Sequence, residues 1–354
     1  MVPSRHQTTH PSALNPDPTP ANWYIVCSSR DLRSKPVAAT LAGLPVVLFR
    51  DADDKAAAIE DRCAHRNAPL SEGSVIDGRL RCRYHGWEYD GSGQVASVPA
   101  TRHDPACFSH IRIRSLPVVE QDGFVWAWLG ERAPSSVPLP FPRHKERGWT
   151  SFVMKTRFQA TVDACLENFL DCPHATFVHR YWFRAPTAKP VRATVRTLED
   201  GVAAEFFDEP REKSLVWWGL APAGGAMKHT DRFIAPSTSR VDYEFPGGLH
   251  YIITSSCTPI SPRETEVYTV ISFRYRKIGS LVRLFFEPLA RWIIRQDAKM
   301  LSAQRRNIER FGAPAFQSTP ADLLGPLIAS WRRALAAGTA PPAPGHERHV
   351  EIYL

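Results

Sequence analysis

The sequence predicts an α+β protein of two domains, an all-β domain followed by a larger one of antiparallel sheet and helices. Three observations carry that prediction. Over residues 23–130 the chain alternates short apolar runs with turn residues, at strand length and never at helix length. A Pro-rich run over 134–142 then interrupts regular structure and reads as a linker. Beyond it, more strands lead into long helical patterns, the longest over 280–311. With 354 residues the chain is long enough for two cores. The expected division is an arm over 1–20, a first domain over 21–133, a linker over 134–148, a second domain over 149–338 and a tail over 339–354.

Residues 23–29 read as the first strand. Strands over 46–50 and 56–60 flank Asp51-Ala52-Asp53-Asp54, which has hairpin-turn chemistry, and Pro45 sits where a missing N–H does little harm. Asp77-Gly78 predicts a second hairpin, and Gly91-Ser92-Gly93 turns a strand at 87–89 into one at 94–98. Strands over 111–119 and 124–129, joined at Asp122-Gly123, close the first domain. In the second, 151–161 alternates as a strand and 162–179 is helical, with Asp163 supplying early negative charge. Strands follow over 191–198, 202–207, 215–219, 232–235, 240–245, 250–257 and 266–274. The helix over 280–311 contains Pro288, which predicts a kink or break, and Pro326 threatens the helix over 323–337. Residues 339–354 read as a tail lying along the surface or a neighbour.

Composition narrows the function. Charged residues make up 23% and apolar residues 43%, the balance of a soluble globular chain. The polar, Pro-rich first 22 residues lack the apolar core of a signal peptide. The most apolar late run, 281–294, is broken by Arg283, Glu287, Pro288 and Arg291, so no membrane insertion is expected. Seven cysteines, an odd number without a framework spacing, point to a reducing compartment, by default the cytoplasm. The net charge of +8 raises nucleic acid as a partner, but no basic-aromatic motif supports it.

Two mixed Cys-His pairs stand across a short spacer: Cys63-Ala64-His65 and Cys82-Arg83-Tyr84-His85. Two thiolates and two imidazoles can hold two irons unequally, Cys on one and His on the other. Tetrahedral zinc also takes Cys2His2 sets, but a zinc finger pairs Cys with Cys and His with His along the chain. The spacing C-x-H-x16-C-x2-H, with CAHRNAPLSEG and YHGWEYDGSG around it, resembles the Rieske [2Fe-2S] motif, and its oxygenase version in particular. Arg83 departs from the Pro of many relatives at a position that is not a ligand. Arg62, Arg66, Arg79, Arg81 and Arg83 surround these loops. Either they form a basic collar that steers an acidic electron donor, or they are solvated or paired with local acids such as Asp61 and Glu72.

A second constellation, Asn168-x2-Asp171-x2-His174-x4-His179, lies in the helix after Thr161. Histidines five apart on an ideal helix diverge by about 140°. If they chelate a metal, the segment must bend near His174, and Pro173 offers the cause. The stretch resembles the N-x2-D-x2-H-x4-H motif of Rieske non-heme iron oxygenases, and the resemblance runs from Asn22 to the C-terminal helices. It implies Cys63, His65, Cys82 and His85 as cluster ligands and His174 and His179 as ligands of a mononuclear Fe(II). It also implies Asp171 as the carboxylate linking to a cluster histidine, and Asn168 as a residue near the iron.

The third iron ligand must be a carboxylate from elsewhere. Asp297 on the late helix is the best candidate, because the family places its aspartate on such a helix. Glu287, Asp231 and Asp242 compete, the last two at strand positions where carboxylates more often face solvent.

The resemblance further implies a helix-grip-like second domain, a ring-shaped homotrimer with Asp171 at the subunit boundary, and NAD(P)H as electron source. No nucleotide fingerprint is present, so a separate reductase, with or without a ferredoxin, would deliver the electrons. The expected activity is hydroxylation or demethylation, with O2, of an apolar aromatic or polycyclic small molecule. Ring cis-dihydroxylation, desaturation and oxidative cyclisation stay open, as does a pure electron carrier. Phe169, Phe177, Trp182, Phe183, Trp217 and Trp218 are candidate cavity linings, while Arg180 and Arg184 are expected in solvent.

Overall fold

The computed structural model describes residues 19–101, 105–108, 110–180, 182, 189–207, 227–275 and 278–353. The expected strand over 215–219 and the residues Phe183, Arg184, Trp217 and Trp218 lie outside them.

The N-terminal part is all-β, as the strand-and-turn pattern requires. β1 (Asn22–Ser28) pairs with β11 (Phe124–Leu129), which pairs with β10 (Val118–Gln121). A second sheet has the order β2 (Val37–Leu41), β3 (Leu44–Arg50), β4 (Ala56–Glu60) and β9 (Ser115–Leu116). A third, small sheet runs through β5 (Ser74–Ile76), β6 (Arg79–Arg81), β7 (Glu88–Tyr89) and β8 (Val95–Ser97). The hairpin at Asp77-Gly78 forms with φ of 48° and 71°, the left-handed pair that a two-residue turn with strand-matching twist demands. Sequence reading missed β2, whose pattern is half-exposed. The single strand expected over 111–119 is two strands, because Pro117 lacks the donor that a continuous ladder needs.

The linker region carries no strand or helix, yet it is anchored. Phe141 is buried against Phe124 and Trp126, and Trp23 Nε1 donates to the Ser136 carbonyl at 2.7 Å.

The second part is built on one eight-stranded antiparallel sheet. In chain order its strands are β12 (Thr150–Phe158), β13 (Pro190–Leu198), β14 (Gly201–Phe207), β15 (Lys228–Ile234), β16 (Thr238–Glu244), β17 (His250–Ser261), β18 (Glu264–Arg274) and β19 (Glu347–Tyr353). Across the sheet the order is β12-β18-β17-β16-β15-β14-β13-β19. The expected C-terminal tail therefore contributes an edge strand, which satisfies the otherwise open edge of β13. Among the described residues four helices complete this part: α1 (Val162–Leu170), the short α2 (His174–Phe177), α3 (Gly279–Phe311) and α4 (Gly325–Ala336).

β18 is buried on both faces. Val267, Ile271 and Phe273 join the core under the helices, while Tyr268 and Val270 pack against Trp23, Ile25 and Phe124 of the N-terminal part. Thr258 Oγ1 donates to the Ile25 carbonyl at 2.8 Å across the same junction. The two parts thus share a core rather than merely a tether. α3 continues through Pro288 instead of breaking, and Pro326 falls in the first turn of α4, where its missing N–H is tolerated. No helix among the described residues is long and apolar enough to cross a membrane.

Candidate metal centres and substrate cavity

Two loops of matching construction carry the Cys-His pairs. Cys63 N donates to Ala68 O and Asn67 N to Cys63 O, both at 2.9 Å. Cys82 N donates to Trp87 O at 2.8 Å and Gly86 N to Cys82 O at 3.0 Å. The fourth residue after each Cys has positive φ, 59° at Asn67 and 74° at Gly86, which turns each loop back and aims its Cys and His at the other. Both sulfurs are buried, whereas His85 is exposed and His65 half-buried. The imidazole centroids are 4.6 Å apart, and His65 stacks on Trp87 at 4.9 Å.

The donor set fits a metal cluster. His65 Nδ1 is buried without a hydrogen-bond partner, and desolvation, then His85 and Arg66, hold this imidazole below its ordinary pKa, in its ligating neutral form. Burial, then contact with Cys63, pushes the Cys82 thiol up, so two thiolates would need a cation between them. Tyr89 Oη lies 3.2 Å from Cys63 Sγ and accepts from Ala64 N at 2.9 Å. Sequence reading passed over Tyr89, which looks like an ordinary strand aromatic.

Around these loops the arginines are mostly engaged. Arg79 and Arg81 reach Glu88, Arg83 pairs with Glu72 at 2.8 Å, and Arg62 with Glu60 at 3.3 Å. The local-pairing reading therefore describes four of the five. Asp61 instead accepts from Ser71 N at 2.7 Å.

In the second constellation α1 starts where Thr161 accepts from Ala164 N and ends at Asp171. Residues 171–173 leave the helix, and α2 begins again at His174 after Pro173. That break reorients the two histidines: their rings lie 5.3 Å apart and nearly perpendicular, both facing α3. Asp297 Oδ1 is 2.9 Å from His179 Nε2 and 3.6 Å from His174 Nε2. The three ligand atoms lie within 4.8 Å of one another.

Each imidazole is held from behind. His174 Nδ1 bonds the Asp171 carbonyl, and His179 Nδ1 lies 2.7 Å from Gln296 Oε1. Both acceptors fix the proton on Nδ1 and leave Nε2 for a cation beside Asp297. Burial works against a charged His179, but Asp297 and Gln296 outweigh it and raise its pKa, the response of a site that seeks positive charge. A carboxylate 7% exposed beside two imidazoles in an apolar setting fits a divalent metal. Gln296 was missed because one amide among several on a helix gives no periodic signal.

The triad opens on a cavity of about 140 Å³ between α1–α3 and the sheet, walled by apolar side chains such as Phe169, Val241, Ile253, Ile271, Phe286 and Ile294. Asp171 also lines it and is 37% exposed at the side chain. Asn168 is half-buried on α1, its Oδ1 buried without a hydrogen-bond partner.

Of the competing carboxylates, Glu287 pairs with Arg283 and Arg291, and Asp242 with Arg240 and His250. The expectation that the strand carboxylates face solvent is overturned. Asp231 is 3% exposed and lines the cavity, because the sheet face it occupies is covered by helices. Phe177 does not line the cavity and is 75% exposed, and Trp182 packs on Trp292 instead. Arg180 is exposed, as expected.

Comparison with known proteins follows the same division. Residues 22–118 match the family described as Rieske [2Fe-2S] domain, and residues 158–337, just over half the chain, match the Vanillate O-demethylase oxygenase C-terminal domain. This chain belongs to the Rieske oxygenases, oxidoreductases that carry a [2Fe-2S] cluster and a mononuclear iron.

Among its relatives, the dicamba O-demethylase oxygenase component of Stenotrophomonas maltophilia is 34% identical over 45% of this chain and 47% of the relative. Chlorophyllide a oxygenase of Arabidopsis thaliana is 34% identical over 89% of this chain and 58% of the relative. Aminopyrrolnitrin oxygenase PrnD of Pseudomonas fluorescens is 29% identical over 74% and 77%. The chain spans about half the length of several curated relatives it matches, 48%, 47% and 45% for three of them. Crystalline dicamba monooxygenase bound to dicamba has the same fold, with a TM-score of 0.74, 23% identity and coverage of 89% of this chain and 97% of that one.

Proposed function

We propose that this chain is the terminal oxygenase of a Rieske non-heme iron system, hydroxylating or demethylating an apolar aromatic or polycyclic small molecule with O2. The observation that carries this reading is the His174–His179–Asp297 group at the wall of an apolar cavity, in a chain that also holds two facing Cys-His loops. Cys63, His65, Cys82 and His85 would hold the cluster, and His174, His179 and Asp297 the iron, with Asn168 beside it. When bound, these groups supply single electrons and the activation of oxygen.

The chain's own residues do the rest. Gln296 and the Asp171 carbonyl keep both Nε2 atoms aimed at Asp297. The mostly apolar walls surround the open side of the triad with groups that do not compete for it. Asp171, 37% exposed at its side chain, would be the residue that a cluster histidine of a neighbouring copy reaches, so a homotrimer is part of the proposal. Electrons would come from NAD(P)H through a separate reductase or ferredoxin. None of the seven cysteines is joined in a disulfide, which supports a reducing, cytoplasmic setting.

Metal analysis tests the reading first. The purified chain should hold more iron than acid-labile sulfide, whereas an electron carrier would hold them in equal amounts. Turnover with a reductase, NADH and a panel of aromatic, steroidal and methyl-bearing compounds should then consume O2 in step with product. Product structure separates hydroxylation and demethylation from dihydroxylation, desaturation and cyclisation.

A further inference from the structure

The floor of the cavity is laid out in rows by the sheet register. Asp231, Val241, Ile253 and Ile271 are successive cross-strand partners on β15, β16, β17 and β18. Ser239, Ser255 and Thr269 form the next row, with Ser255 and Thr269 bonded at 2.9 Å. His229 and Tyr243 pair on the other side. A flat apolar track thus ends in a carboxylate.

That carboxylate is held in place. His229 is 1% exposed and sandwiched between Phe206 and Tyr243, with centroids 4.5 Å and 4.4 Å away and rings within 18° of parallel. Its Nε2 lies 2.9 Å from Asp231 Oδ1, two residues on and on the same strand face. Asp231 lies outside the His174–His179–Asp297 group, so metal binding does not account for it. An ionised carboxylate offers roughly four acceptor sites, more than one imidazole fills. Burying it in an apolar wall is costly unless something else bonds to it.

We propose that Asp231, oriented by His229, is the substrate's polar anchor, resting on the oxygenase reading above. It selects apolar molecules that carry a hydrogen-bond donor, an ammonium, amine or hydroxyl, away from the oxidised carbon. It rejects carboxylates, whose charge would meet a fixed buried one. The donor lands at the end of the apolar track, and the body lies over Val241, Ile253 and Ile271.

Three probes with one body test this: para-methoxybenzylamine, para-methoxybenzyl alcohol and para-methoxybenzoate, titrated calorimetrically into the metal-loaded protein. The amine and alcohol should bind about tenfold or more tighter than the benzoate. Asp231→Asn, near-isosteric, should erase most of the preference of amine and alcohol over benzoate, chiefly by tightening the benzoate by about tenfold or more. Asp231→Leu should lose the donor preference altogether. Unchanged cluster absorption and iron content in both variants report that the fold survives. Benzoate binding as tight as the amine in the unaltered protein, an unchanged ranking in both variants, or no binding by any probe overturns the proposal. Because binding is read apart from metal content and turnover, a donor preference in a chain that holds equal iron and sulfide would sink the oxygenase reading and leave the anchor standing.

Discussion

Gln296 Oε1 lies 2.7 Å from Nδ1 of His179, while the next residue along α3, Asp297, reaches the other nitrogen of the same ring at 2.9 Å. One turn of helix thus both orients an imidazole and supplies the carboxylate it faces. Replacing Gln296 by Leu removes the acceptor and frees the ring to rotate. Iron affinity should fall about 10–100-fold, the usual cost of losing such a support, with the cluster spectrum unchanged. Iron retained against a chelator, compared with sulfide content, measures it.

Asp171 offers its backbone to His174 and its side chain to the rim of the cavity. Asp171→Asn keeps the carbonyl and the shape but loses the charge. Both metal centres should stay bound and reducible, and substrate-coupled O2 consumption should fall to background. Normal turnover in this variant would refute the proposed link between subunits.

At the cluster loops, Tyr89 places its hydroxyl 3.2 Å from Cys63 Sγ. A hydrogen bond to a cluster sulfur stabilises the more negative, reduced state. Tyr89→Phe should therefore lower the reduction potential without loss of iron, and a spectroscopic redox titration reads the shift. Burial, then the contact with Cys63, raises the Tyr89 phenol pKa, so the hydroxyl remains a donor across the working range.

Asp242 sits on β16 with Arg240 and His250 around it. Burial acts to raise its pKa, but His250 and Arg240 outweigh that and hold it below the usual carboxylate value. A depressed folded pKa contributes stability above the unfolded value and loses it as pH falls through the folded one. Asp242→Asn should cost about 1–3 kcal/mol near neutral pH. The gap to the unaltered protein should close below about pH 4, where the carboxyl takes up its proton. Urea midpoints of the two proteins at neutral and acid pH measure it.

Short-range chemistry was legible from the chain alone. The mixed Cys-His pairs, the Asp77-Gly78 turn and the strand-then-helix order follow from residues a few positions apart, where geometry depends on local backbone preference. The bend before His174 was legible for the same reason, since Pro173 acts on its own turn. Positions decided by packing were not. Asp231 and the exposed Phe177 were misjudged because burial depends on which faces are covered, and α1 and α3, which cover the sheet face of Asp231, come from separate stretches of the chain. Gln296 and Tyr89 carry no motif. Their roles arise only where α3 meets the α1–α2 break, and where β7 passes under the first cluster loop.

The sequence by itself determined the family, the two mixed Cys-His pairs, the His174/His179 pair and the all-β then sheet-and-helix order, because each rests on residue type at fixed spacing. Only the tertiary structure decided that Asp297, rather than Glu287, Asp231 or Asp242, meets the two histidines. It alone also brought Asp231 and His229 to the floor of the same cavity. Those choices turn on which faces of a sheet and a distant helix are pressed together, and that is fixed by burial of the whole core.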